Sequence, residues 1–136
     1  MKKEPVKAQW HVLDAKSTTL GRLATQIATI LLGKHLTGSA QHTVAPDHVI
    51  VINSDSLVVT GKKRDQKMYR RYTGYPGGLR ERTLEEQMGK DSSFVIREAV
   101  SGMLPKNNLR NDRLAQLHIY PTETHPHMPQ TNTPTV

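Results

Sequence analysis

Between Gly61 and Arg82 the chain gathers the side chains best suited to hold a polyanion. Eight cations, Lys62, Lys63, Arg64, Lys67, Arg70, Arg71, Arg80 and Arg82, stand against Asp65 and Glu81 alone. That surplus accounts for nearly all of the chain's formal net charge of +7. Within it, Met68-Tyr69-Arg70-Arg71-Tyr72 interleaves guanidinium groups with rings, as a strand or an extended arm. Arginine grips phosphate oxygens in pairs and stacks on bases, and tyrosine adds a stacking plane. Thr73-Gly74-Tyr75-Pro76-Gly77-Gly78 follows, a loop whose glycines let a backbone approach another polymer closely. Cation, ring and bare backbone in succession are what an irregular RNA surface requires. A hairpin with a solvated edge would use the same residue types, but solvated faces interleave their signs. Here the signs are segregated: Leu23 to Thr60 holds only Lys34 against Asp47 and Asp55.

Other residues could carry chemistry, and their spacing argues against it. Gly33-Lys34-His35 and Gly61-Lys62-Lys63 each contain the Gly-Lys step of a phosphate-binding loop. Ala28 and Ser56 occupy the positions where that motif needs its first glycine, and neither lysine is followed by Ser or Thr to ligate magnesium. The seven histidines lack the His-Glu-x-x-His spacing of a zinc enzyme. His125-Pro126-His127 could touch a metal, but it stands without carboxylate or thiol partners, so no metal or cofactor is expected. Asp14 sits between a predicted strand and a predicted helix, where a catalytic carboxylate could lie, although turn and capping roles are commoner there. Serine nucleophile elbows are absent. The sequence reads as that of a non-enzyme.

The elements that must position the arm follow from periodicity. Trp10–Asp14 reads as a strand. Apolar residues Leu20, Leu23, Ala24, Ile27, Ala28, Ile30 and Leu31 recur at helical spacing, with Thr18 or Thr19 where an N-cap belongs and Gly33 closing the helix. His48-Val49-Ile50-Val51-Ile52-Asn53 is unbroken rather than alternating, the pattern of a strand buried on both faces of a parallel sheet. Strand, helix and buried strand in that order form a βαβ unit. Leu57-Val58-Val59-Thr60 is a further strand candidate. Thr83 caps a short helix, and a second helix runs from about Ser92 to Leu104, with Phe94, Val95, Ala99, Val100 and Met103 inward and Pro105 as its stop. A turn and short helix over residues 107–114 and a strand at 117–120 complete a single domain over residues 9–120. Residues 1–8 form a basic arm. Residues 121–136, rich in Pro and Thr, should be extended.

Composition sets the outer bounds. The 136 residues include 35% apolar but only 4% aromatic residues, so the core must be small and aliphatic. With no cysteine, disulfide scaffolds, thiolate zinc sites and cysteine nucleophiles are excluded. No apolar run approaches the roughly 20 residues that span a bilayer, and the first residues lack a secretory or transit pattern. A cytoplasmic protein is expected, with no membrane and no small-molecule substrate among its partners.

Three blocks in order carry a resemblance: Thr19-Leu20-Gly21-Arg22-Leu23-Ala24, then Tyr72-Thr73-Gly74-Tyr75-Pro76-Gly77-Gly78, then Gly102-Met103-Leu104-Pro105-Lys106-Asn107. With Leu32-Gly33-Lys34-His35 and Val59-Thr60-Gly61-Lys62-Lys63, they make residues 9–120 resemble the bacterial ribosomal protein L-thirteen family. The chain departs from the family pattern at residues 40–47, and at Leu109-Arg110-Asn111, where relatives have Leu-Gly-Arg. The resemblance implies a three-layer α/β/α domain around a four-stranded parallel sheet. It also implies a structural constituent of the large ribosomal subunit, which binds large-subunit ribosomal RNA, lies beside other proteins of that subunit and helps organise the RNA early in assembly. On this reading Lys34 and His35 face RNA, as do Lys106, Arg110 and Arg113. The arm contributes Lys62, Lys63, Arg64, Lys67, Tyr69, Arg70, Arg71, Tyr72, Gly74, Tyr75, Gly77, Gly78 and Arg80. The rival reading, an RNA-modifying or nucleotide-using enzyme, needs a pocket at the carboxyl ends of the strands, near Asp14 and Asn53.

Neutralising a phosphate releases counterions, so each lost contact flattens the dependence of affinity on salt by slightly under one unit. From the sequence alone, replacing Arg70 and Arg71 together by Ala should flatten that slope by up to about two units in a filter-binding titration.

Overall fold

The computed structural model describes residues 7–131. Most of the predicted basic arm at residues 1–8, and residues 132–136 of the predicted tail, lie outside the described residues. Strands β1 (Trp10–Asp14), β2 (His48–Ile52) and β5 (Leu117–Ile119) make a parallel sheet in the order β1-β2-β5. Strands β3 (Met68–Tyr72) and β4 (Leu79–Thr83) form a separate antiparallel hairpin. The helices are α1 (Leu20–Leu31), α2 (Lys63–Gln66), α3 (Leu84–Lys90), α4 (Ser92–Met103), α5 (Leu109–Ala115) and α6 (Met128–Thr131).

The unbroken run in β2 does what its pattern predicts: Val49, Ile50 and Val51 are all fully buried, and the strand is central. Alternation divides its side chains between two faces. On one face Val49, Val51, Leu13 and Leu117 join Leu20, Leu23, Ala24, Ile27 and Leu31 of α1, and Val95, Ile96 and Val100 of α4, in a single core. On the other, Ile50 lies among Trp10, His48 and His118, whose rings stack, with Trp10 and His48 at 4.3 Å between centroids. Burial, then the charge of His127, lowers the basicity of His48 and His118, which favours the neutral rings that stack on indole.

The expected three-layer arrangement therefore changes. From β1 to β2 to β5 the chain steps across the sheet in one direction. Parallel connections are nearly always right-handed. Two such steps in the same direction put both connections, and so α1 and α4, on one face. The opposite face is covered by the C-terminal segment, which was expected to be extended. His127 stacks on Trp10 at 5.0 Å, and the single turn of α6 packs beside β1.

The four-stranded parallel sheet is likewise corrected to three strands, because the segment 57–60 does not pair along its length. Asn53 takes a left-handed conformation (φ 58°) and leads into a 3₁₀ turn at Ser54–Ser56. The Ser92 hydroxyl holds this turn, sharing a 2.8 Å hydrogen bond with Ser54 and donating to Asp55 Oδ1 at 2.6 Å. The diverted chain buries Leu57 and keeps only one bridge, Val58 to Thr19.

Helix α1 starts and stops where periodicity placed it, and Thr19 occupies the N-cap in extended conformation without a side-chain bond. Thr83 does cap α3, its hydroxyl accepting from Glu86 N at 3.3 Å. In α4 the inward set is Val95, Ile96 and Val100, while Phe94 and Met103 are exposed. Gly33 ends α1 with φ +73°, and a Cβ there would sit 3.0 Å from the Ala45 side chain. Gly33→Ala combines a strained conformation with that contact and should cost about 1–3 kcal/mol, read as a lowered denaturation midpoint at unchanged slope. An unchanged midpoint would mean that residues 33–45 are not held as described.

Candidate nucleic-acid interface

The cationic segment is built as a finger. Lys62, Lys63, Arg64 and Lys67 are all exposed around α2, which Gly61 introduces at φ +67°. The hairpin then pairs Tyr69 with Arg82, Arg70 with Glu81, Arg71 with Arg80 and Tyr72 with Leu79. Directly paired residues share a face, so the two arginines in the Arg70–Arg71 run separate. Arg70 Nε donates to Glu81 Oε1 at 2.8 Å, an exposed ion pair. On the opposite face Arg71 lies across from Arg80, with Arg82 following on the same face. Like charges directly opposite each other destabilise a hairpin, so this placement favours an anion between them over stability.

The tip is fixed by its glycines. Gly78 N donates to Tyr75 O at 2.9 Å across a turn with Pro76 and Gly77 (φ +70°) in its centre, a type II arrangement. Gly78 is irreplaceable for a different reason: a Cβ there would meet Thr73 Oγ1 at 1.9 Å and the Tyr75 carbonyl at 2.9 Å. The loop so shaped presents Tyr75, 75% exposed, and Tyr72, 65% exposed, as open stacking planes.

Tyr69 departs from its expected role. It is half-buried, edge-on to Phe94 of α4 with centroids 5.8 Å apart, and Lys67 Nζ lies 5.4 Å over its ring. Burial, with the charge of Glu98 added, raises its phenol above the ordinary value. Tyr69 thus anchors the finger to the body and is not a free stacking plane. Below it a cleft of about 750 Å³ opens between the first turn of α1 and the base of the finger, lined by Arg22, Thr60, Lys63, Lys67 and Met103 among others. In the sequence Arg22 stands out only as part of the Thr19–Ala24 block, and nothing local relates it to lysines forty residues on.

The remaining expected contacts scatter. Lys34 is exposed, but it follows the far end of α1 from the cleft, about 18 Å away along a helix of this length. Lys106 is exposed beyond α4, and Arg110 is half-buried. His35 is exposed, with its Nε2 2.5 Å from the buried Asp47 Oδ2. Arg113 is only 2% exposed and donates to the carbonyls of Gln41 and Thr43 at 3.3 and 3.4 Å. It holds the long loop after α1, where Gln116 Nε2 also donates to Ala45 O at 2.7 Å. Asp14, the residue the enzyme reading needs, locks a turn. Its Oδ1 accepts from Lys16 N at 2.9 Å and Asn53 Nδ2 at 3.1 Å, bonds that hold the carboxyl below its ordinary range.

A family model described as Ribosomal protein L13 matches residues 8–126. The chain is 45% identical to the large ribosomal subunit protein uL13 of Thermobifida fusca, over 98% of this chain and 89% of that one. It is 46% identical to the protein of that name from Clostridioides difficile (92% and 87% covered) and 47% identical to that from Streptomyces coelicolor (90% and 83% covered). These likenesses, with a body whose charge is gathered on an outlying finger, define a structural ribosomal protein and not an enzyme. Within that class the chain belongs to the ribosomal protein L13 family.

Arg113 holds the loop through two carbonyls, so Arg113→Met should lower stability by about 1–3 kcal/mol by leaving them unpaired. The salt slope of RNA binding should stay at its wild-type value. A flattened slope at wild-type stability would return Arg113 to the interface.

Proposed function

We propose that this chain, a structural constituent of the large ribosomal subunit, holds the RNA of that subunit through the finger at residues 61–82. It does so without catalysis, as a rigid body carrying a cationic arm to where phosphates converge. The observation that carries the reading is the cross-strand placement of Arg71 opposite Arg80, with Arg82 on the same face, on an exposed hairpin whose tip offers Tyr72 and Tyr75. A hairpin selected for stability alone would set opposite charges there, as Arg70 and Glu81 do on the reverse face. The arginine face neutralises phosphate, the rings take unpaired bases, and the bare backbone at Gly74 and Gly77 admits the polymer closely. Lys63, Lys67 and Arg22 continue the positive surface down the cleft. Lys34, Lys106 and Arg110 are separate, outlying contacts.

Two consequences belong to the same reading. A body that fixes RNA strands at one point lowers the cost of folding the rest, which is the physical content of an early role in subunit assembly. The surfaces away from the finger are then available to neighbouring proteins of the subunit. In the cell the protein should recover with the large subunit through a high-salt sucrose gradient.

The test uses large-subunit RNA and the full chain across a salt series. Replacing Arg71 and Arg80 together by Ala should flatten the slope by about two units, while the melting temperature stays level or rises as the cross-strand repulsion is removed. Arg70→Ala should flatten the slope less than Arg71→Ala, since Glu81 already engages Arg70. An unchanged slope in the Arg71 and Arg80 double variant would remove the finger from the interface. Recovery of the protein at the top of the gradient would remove the subunit assignment.

A further inference from the structure

His11, His35 and Asp47 are far apart in sequence and converge at the amino-terminal edge of the sheet. His11 lies on β1, His35 in the loop after α1, and Asp47 just before β2. Their ligating atoms all lie within 4.8 Å of one another. Both imidazoles aim Nε2 at the same carboxylate oxygen: Asp47 Oδ2 is 3.1 Å from His11 and 2.5 Å from His35. The two rings stand edge-to-face, 84° apart in plane. The other carboxylate oxygen, Oδ1, accepts from Gln9 N at 3.1 Å, which fixes the orientation of the acid.

We infer that this cluster is a binding site for a divalent transition-metal ion of the zinc class, held by His11 Nε2, His35 Nε2 and Asp47 Oδ2. Two imidazoles and one carboxylate form a donor set that suits zinc and its neighbours; magnesium and calcium prefer oxygen alone. A four-coordinate zinc with bonds of about 2.0–2.2 Å sets its ligand atoms about 3.3 Å apart. The distances to His11 and His35, 3.1 and 2.5 Å, are both shorter than that value, so the imidazoles must turn outward by a few tenths of an ångström to admit the ion. Asp47 is fully buried, whereas the side chains of His11 and His35 are 27% and 30% exposed. The carboxylate is therefore the floor of the site and the imidazoles its mouth. The fourth position faces solvent and takes water. A backbone donor on the far carboxylate oxygen is the outer-shell support such sites carry.

The placement gives the ion work to do. Residues 33–47 form a long connection with no helix or strand, and its two ends carry His35 and Asp47. An ion joining both to β1 closes that loop onto the sheet, on the side opposite the Arg113 and Gln116 anchors. None of this depends on RNA binding by the finger.

The test titrates the full, chelator-stripped chain with Co²⁺ and with Zn²⁺. One equivalent should bind with a micromolar or tighter dissociation constant, giving the intense visible absorption of four-coordinate cobalt, and Zn²⁺ should raise the melting temperature. His11→Gln and His35→Gln should each weaken binding more than about 100-fold, beyond the 10–100-fold typical of outer-shell losses. Both leave Asp47 in place, so they test the site even where Asp47→Asn prevents folding. His125→Gln with His127→Gln should bind as wild type. Millimolar affinity in the wild type would overturn the site. So would wild-type affinity in the His11 and His35 variants, or loss of binding in the His125 and His127 pair.

Discussion

Everything in this molecule hangs on the burial of one strand face. Val49 and Val51 of β2 are covered by both long helices at once, and Leu13 and Leu117 extend the same apolar floor to either side. At about 1.5–3 kcal/mol for each fully buried aliphatic side chain, this single core outweighs every polar contact described. It also explains the aromatic poverty of the chain. Two helices lying against three short strands leave spaces of leucine, isoleucine and valine size, and the rings go elsewhere: to the opposite sheet face, the finger and its anchor. Because both crossovers step the same way, the second sheet face receives no long helix. It is filled instead by planar groups, Trp10, His48, His118 and His127, which stack in a layer thinner than a helix.

The finger is tolerable only because that core does not include it. Leu84 of α3 plugs into the body immediately after β4, and Tyr69 rests on Phe94 immediately after α2. Between those two anchors the hairpin is exposed, where water and salt screen the repulsion between Arg71 and Arg80 to a small cost. The same charges placed within the core would not be survivable. Charge and stability are thus divided in space: aliphatic burial supplies stability, and a solvated arm carries charge that opposes it.

That division explains what was legible in the sequence. The helix at 20–31, the strands at 10–14 and 48–52, the Thr83 cap and the cationic segment all announce themselves locally, through periodicity, capping chemistry or charge. What escaped depends on the third dimension. Arg113 has the composition of a contact residue and the position of a loop tether, and only the return of residues 41–43 to its side distinguishes the two. Tyr69 and Tyr72 look alike in a five-residue run, but strand alternation turns one to the body and the other to solvent. The fourth strand failed because Asn53 and the Ser92 hydroxyl divert the chain before it can pair. Local chemistry marked the arm, and the resemblance added Lys34, His35, Lys106, Arg110 and Arg113, which the structure sets apart from the finger, with Arg113 buried beside the loop it holds.

The alternation of β1 carries the last consequence. Trp10 points to the stacked-ring face and His11 to the core face, where Asp47 and Val49 also point. A slip of β1 by one residue would exchange those faces, as any strand slip does. Trp10 would then be driven toward α1 and His11 toward the ring stack, dissolving both clusters together. The indole and the imidazole therefore report on the same register from opposite sides of the sheet. The Gln9 carbonyl, accepting from His48 N at 2.9 Å, sets that register at the first rung. The amide of the same residue bonds Asp47. One residue at the edge thus aligns the strand that builds the core and orients the carboxylate at the floor of the histidine cluster.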